Sequence, residues 1–230
     1  MSTATIEPQS LGQVVDLVNK SFFYGENMES TDREHLASWI SSRLGKPRSY
    51  AGMFAPTDSD FRIGVRVFTG EPINSRAGTS HAVGEEACRA LILLDVRDSN
   101  IKSALRQATL GMLTRLRQAE TEGKGPGMYC CGTCSVAYWR HIAAGGLDRN
   151  EERLTAGMRA LKGLRNGAGD WRRFPFCYTL LALSEIDLTI AREEIEYAAP
   201  TVQRHLKRSS SKDEYSLRRR TLFERVLAKI

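Results

Sequence analysis

The sequence predicts an all-α fold of stacked helical hairpins. Apolar residues recur at helical rather than alternating spacing along most of the chain. Extended runs are scarce, and three segments repeat one helix–turn–helix pattern. These segments are Ala90–Leu116, Ala137–Leu164 and Thr179–Leu206. Each has an apolar helix, a short polar turn and an amphipathic helix ending on Leu. Helix pairs that repeat in this way bury each apolar face against the next pair, so stacking makes one continuous core.

The elements follow in order along one domain spanning 1–230. Residues 1–30 form an N-terminal segment. Residues 31–83 make an atypical first hairpin and a long loop. Thr31 with Glu34 reads as a capping box opening TDREHLASWISSRL, and Pro47 follows the helix end. The stretch over about 45–80 is rich in Gly, Pro, Ser, Asp and Asn, an irregular loop of the length that usually serves function or mobility. Within it, Phe61–Phe68 alternates apolar and basic residues, room for a short β-hairpin. Residues 84–206 hold the three hairpins, and 207–230 a basic C-terminal helix.

Composition narrows the class. The chain has 230 residues, 41% hydrophobic and 26% charged, which excludes disorder as the main state. No run approaches the roughly 20 apolar residues of a membrane span, and MSTATIEPQS has no signal-peptide pattern. Five cysteines, three of them within five positions, do not read as a secreted disulfide framework. A reducing, cytoplasmic setting is expected. The net charge of +6 lies wholly in residues 201–230, where nine Lys and Arg face three Asp and Glu. The body is therefore neutral, which disfavours a nucleic-acid partner for it. In the basic end, Phe223, Val226, Leu227 and Ile230 form an apolar stripe that docks a last helix. Arg218–Arg220 read as a solvated face, with an acidic partner or nucleic acid as the alternative.

The linkers carry a more specific signal. LRQAETEGKGPGMY (Leu116–Tyr129) and LRNGAGDW (Leu164–Trp171) both read Leu-Arg, a polar spacer, Gly-x-Gly-x and an aromatic. WISSRLGKPRSYAGMF (Trp39–Phe54) is a looser version. Hairpins joined this way resemble the repeats of protein prenyltransferase β-subunits and squalene or terpenoid cyclases. That resemblance implies a partial α/α toroid with inner helices at about 84–95, 131–144 and 174–186. It also implies an apolar, isoprenoid-like ligand. The Asp-rich motif of the cyclases is absent, and the Asp, Cys and His of the prenyltransferase zinc site cannot be placed. The hairpins are too few for a closed ring, which leaves an open cleft or a partner to complete it.

Two clusters could carry chemistry. In Tyr129-Cys-Cys-Gly-Thr-Cys134, Cys130, Cys131 and Cys134 offer a metal site, a redox dithiol or a thiolate nucleophile near a helix start, or serve only structure. Zinc is the cofactor this pattern allows, though no cofactor is specified outright. His141, about 10 Å further along the helix axis, is too far to share one metal with Cys134. Cys88 and Cys177 align with Ser135 in the repeat and read as small core residues. The second cluster, Trp171, Arg172, Arg173, Phe174, Phe176 and Tyr178, with Tyr138 and His141 on the preceding inner helix, offers a cleft mouth for an anionic, apolar ligand. Packing of the linker itself is the plainer reading. His81, with Glu85 and Glu86 nearby, reads as a surface residue ahead of a helix, or as a base or ligand.

Three functions follow from these features. The first is a binding or scaffold module whose concave surface takes a protein partner or a second copy. Next comes an enzyme or binder of an apolar small molecule, and last a nucleic-acid or acidic-partner binder acting through the basic C-terminal helix.

Overall fold

A computed structural model describes residues 9–123, 125–208 and 212–230. It is all-helical, with no strand among the described residues. The elements are α1 (Leu11–Tyr24), α2 (Ser30–Ser41), α3 (Asp58–Ile63), α4 (Arg76–Leu94), α5 (Ser99–Thr121), α6 (Gly132–Ala143), α7 (Asn150–Lys162), α8 (Phe176–Glu185), α9 (Thr189–Arg208) and α10 (Glu214–Leu227). Among the described residues, no helix is long and apolar enough to cross a membrane.

Local chemistry revises the first third. The segment before residue 30 contains α1, capped by the Ser10 hydroxyl, which accepts the Gln13 N–H. Thr31 is not a cap: α2 starts at Ser30, whose hydroxyl donates to Glu34 at 3.2 Å. Nor do residues 61–68 form a hairpin strand. Thr57 and Asp60 make a capping box that draws Phe61 into α3. Beyond it, the turn from Val65 to Ile73 closes on a single bridge between Arg66 and Pro72. Asp60 also accepts the N–H groups of Leu11 and Gly12 at 3.0 and 2.9 Å, tying α3 to the start of α1.

The helices from α4 onward alternate between inner and outer positions. Fourteen of the 19 residues in α4 are buried, ten of 12 in α6 and six of ten in α8. By contrast, only seven of 23 are buried in α5, five of 13 in α7 and seven of 20 in α9. The inner series packs side by side, α4 on α6 and α6 on α8, while α1 and α2 cover the far side of α4. Cys88 and Ser135 are fully buried, and Cys177 is partly buried against the same core.

Two linkers fold alike. Leu164–Trp171 closes through a bridge between Arg165 and Trp171, and Trp39–Phe54 through one between Leu44 and Phe54. Residues beside the linkers then anchor α6. Trp139 of α6 stacks on Phe174 at 5.4 Å and donates its indole N–H to the Gly127 carbonyl at 2.7 Å. Gly132 has no room for a side chain, since a Cβ there would lie 2.1 Å from the Arg173 carbonyl oxygen. The linker ahead of α8 thus presses directly on the first turn of α6.

Charged side chains knit the inner helices from within. Arg140 of α6 donates to Glu86 of α4 and, twice at 2.9 Å, to Glu185 of α8. Arg89 joins Glu185 at 2.9 Å, and Asn19 of α1 donates to Glu86 at 3.1 Å. Beside this network a cavity of about 20 Å³, room for one water, is lined by Val15, Phe68, Glu86 and Tyr178. The basic end docks differently from expectation. Arg218 is 1% exposed rather than solvated, donating to Asp16 at 2.6 and 2.7 Å and to the Phe68 carbonyl at 3.0 Å. Phe223 and Val226 are buried as expected, whereas Ile230 lies past the helix end and is exposed.

Burial alone would push the Glu185 carboxyl up, but the guanidiniums of Arg140 and Arg89 outweigh it and hold the group below its ordinary 4.5. A depressed carboxyl stabilises the fold above its unfolded value and loses that contribution as pH falls through the folded one. Glu185→Gln should cost about 2 kcal/mol at neutral pH, with the gap to wild type narrowing below about pH 4.5. Urea unfolding across the acid range checks this, and a gap that stayed constant would contradict it. Gly132→Ala should cost about 1–3 kcal/mol by overpacking, read in the same assay.

Candidate functional site

The start of α6 meets the start of α4 at a cluster of sulfur and imidazole. Cys131 is the N-cap of α6, in extended conformation, and its Sγ accepts the Cys134 N–H at 3.4 Å. Tyr129 and the Cys131 carbonyl are pinned by Ser135, whose hydroxyl accepts from the Tyr129 N–H and donates to that carbonyl. This lock sets the direction of Cys130, whose Sγ lies 3.4 Å from Nδ1 of His81. One ligand atom from each of His81, Cys130 and Cys134 falls within 4.8 Å of the others.

His81 is neither on the surface nor ahead of a helix: it lies inside α4 and is 1% exposed. Its ring is clamped on two sides, stacked on Tyr50 at 4.2 Å and met edge-on by Tyr129 at 4.1 Å. The phenols of Tyr50 and Tyr129 hydrogen-bond each other. One turn along α4, Glu85 places Oε1 3.7 Å from His81 Nε2. The other carboxylate oxygen meets Nδ1 of His141 at 2.6 Å. Glu85 and His141 are both fully buried. Burial would raise the Glu85 carboxyl, but the two imidazoles outweigh it and hold the group down at about 2. His81 Nε2 and Glu85 Oε1, 3.7 Å apart, are both buried without a hydrogen-bond partner.

The three thiols differ in setting. Cys130 and Cys131 are exposed, while Cys134 is fully buried. The neighbouring thiols of Cys130 and Cys134 hold the Cys131 thiol far below its ordinary range, whereas those of Cys130 and Cys131, with burial, push Cys134 up.

The second expected cluster does not assemble. Tyr138 is fully buried and donates to the Pro126 carbonyl at 2.8 Å. Trp171 is 2% exposed and donates to Glu194 at 2.8 Å. Tyr178 is fully buried on Glu86. Phe176 packs between Trp171 and Phe223. Arg172 and Arg173 are exposed. Tyr138, Trp171, Tyr178 and His141 are thus core packing, because each polar tip finds its partner inside, while Phe176 is partly buried and the two arginines stay exposed. His141 stands apart from the thiols, as its distance along α6 requires, yet joins their site through Glu85.

Sequence reasoning missed the union of His81 with the cysteines, and missed Tyr50 altogether. A signal for His81 existed, since the 47-residue offset between the first two repeats maps it onto position 128, two residues before Cys130.

With the metal-free, reduced chain, iodoacetamide should label Cys131 and Cys130 within the folded protein and Cys88 only after unfolding. Peptide mapping reads this, and early labelling of Cys88 would contradict the packing of α4. No family model, curated protein or solved structure matches the chain.

Proposed function

We propose that the protein is a metalloprotein whose helical scaffold holds one zinc-class ion through His81, Cys130 and Cys134, with a fourth position open to solvent for Lewis-acid chemistry. The observation that carries this reading is the meeting of those three ligand atoms within 4.8 Å. Zinc bonds of about 2.3 Å to sulfur and 2.0 Å to nitrogen at a tetrahedral angle separate the two ligand atoms by about 3.6 Å. The observed distance from Cys130 Sγ to His81 Nδ1 is 3.4 Å. Behind the imidazole, the buried Glu85 carboxylate lies 3.7 Å from Nε2, placed so that a small closure would give the carboxylate–histidine pair that orients a metal ligand. Three protein ligands with solvent access are the arrangement of catalytic rather than closed structural zinc sites. An ion there would polarise a bound water or a substrate heteroatom.

A specific alignment favours a second reading for the metal-free chain. Cys130 Sγ, His81 and Glu85 stand in the order nucleophile, base, orienting carboxylate. Under this reading His81→Ala slows alkylation of Cys130 without changing metal content.

Under the metal reading, the reduced full chain should carry one zinc by elemental mass spectrometry. His81→Ala and Cys134→Ser should lose it, and Cys131→Ser should keep it. Glu85→Gln should weaken binding by about 10–100-fold through the unsupported imidazole. A wild-type chain that takes up no zinc from a micromolar solution would refute the proposal.

A further inference from the structure

We propose that Cys131 and Cys134 form a reactive dithiol that exchanges with external disulfides, Cys131 attacking and Cys134 resolving. The two side chains occupy the N-cap and third positions of α6, where a cap and the residue three later face each other across the first turn. The N–H of Cys134 already points at the sulfur of Cys131, at 3.4 Å. Access divides the roles. Cys131 is exposed and open to a disulfide from solution, while Cys134 is fully buried and can be reached only from inside the chain. The helix N-terminus favours negative charge on the exposed sulfur. Cys130, by contrast, is turned toward His81.

The exchange balances in two steps. The Cys131 thiolate attacks one sulfur of a disulfide R–S–S–R′. A Cys131–S–R bond forms, the R–S–S–R′ bond breaks, and R′–S⁻ leaves to take a proton from water. Cys134 then attacks the Cys131 sulfur, forming the internal disulfide, and R–S⁻ departs with the proton that Cys134 releases. Two thiols of the chain are oxidised and one external disulfide is reduced to two thiols.

A consequence rests on the metal reading above. Cys134 belongs to the ligand set and Cys131 does not, so an ion occupies the resolving sulfur and leaves the attacking one exposed. The loaded chain is then expected to pause at the mixed disulfide, and closing the Cys131–Cys134 bond is expected to release the ion.

The test exposes the reduced full chain, metal-free and zinc-loaded, to oxidised glutathione, followed by acid quenching and peptide mapping. The metal-free wild type should yield the Cys131–Cys134 disulfide, and Cys134→Ser should stop at a glutathione adduct on Cys131. Cys131→Ser should slow oxidation by at least about tenfold; serine is a good N-cap, so this variant retains the fold. In the loaded chain, zinc captured by a chromogenic chelator should appear with the disulfide in wild type and not in Cys131→Ser. Oxidation of Cys131→Ser at the wild-type rate, or a disulfide mapped to Cys130, would overturn the proposal. If the chain binds no zinc yet forms the disulfide, the metal reading fails and the exchange stands. Binding of zinc with all thiols left unreacted would have the opposite meaning.

Discussion

Two consecutive carboxylates on one helix, Glu85 and Glu86, grip two consecutive side chains on another, His141 and Arg140. This double clasp between α4 and α6 is the constraint on which the rest of the molecule depends. It sits in the most buried part of the fold, where an unpaired charge is costly and a paired one demands good geometry. Moving along both helices in chain order, His81 meets the thiols near Cys134 and Glu85 meets His141, so the two inner helices run in the same direction. That is the outcome expected when each inner helix is followed by an outer one that returns the chain.

Both ends of the molecule respond to this clasp. Toward α8, Arg140 extends the network to Glu185, and Arg89 closes it from α4. Toward the surface, Glu85 passes the constraint to His81, whose ring is further held by Tyr50 and Tyr129. The imidazole therefore cannot follow the thiols if they move, and the thiols are themselves fixed by the cap of α6 and the Ser135 lock. A site built in this way places its reactive atoms on or beside the first turns of two packed helices, backed by buried polar partners.

Much of this order was legible in the chain. The helical hairpins and the small residues at 88 and 135 follow from periodicity and repeat offset, because the packing of stacked helix pairs repeats along the sequence, while the choice of inner helices came only from the family resemblance. The thiol cluster was visible as a motif. Its partner was harder to see: His81 lies in α4 ahead of the first repeat segment, where the 47-residue offset reaches only by extension, and its neighbour Tyr50 comes from an irregular loop with no repeat counterpart. The aromatic residues misled for a related reason. Trp171, Tyr138 and Tyr178 carry the polar tips that a ligand site uses, but each tip is consumed by an acceptor within the fold. Arg218 shows the same effect in a charged residue, since a run of three arginines hides the one that faces Asp16. Local sequence reports which groups are polar, while their partners are set by contacts from distant segments.

The central claim concerns atoms around one ion, and X-ray absorption at the zinc edge of the reduced full chain tests it most directly. The account predicts a low-coordination shell with at least two sulfurs at about 2.3 Å and one imidazole nitrogen at about 2.0–2.1 Å. A shell of oxygen and nitrogen alone, without sulfur, would contradict it.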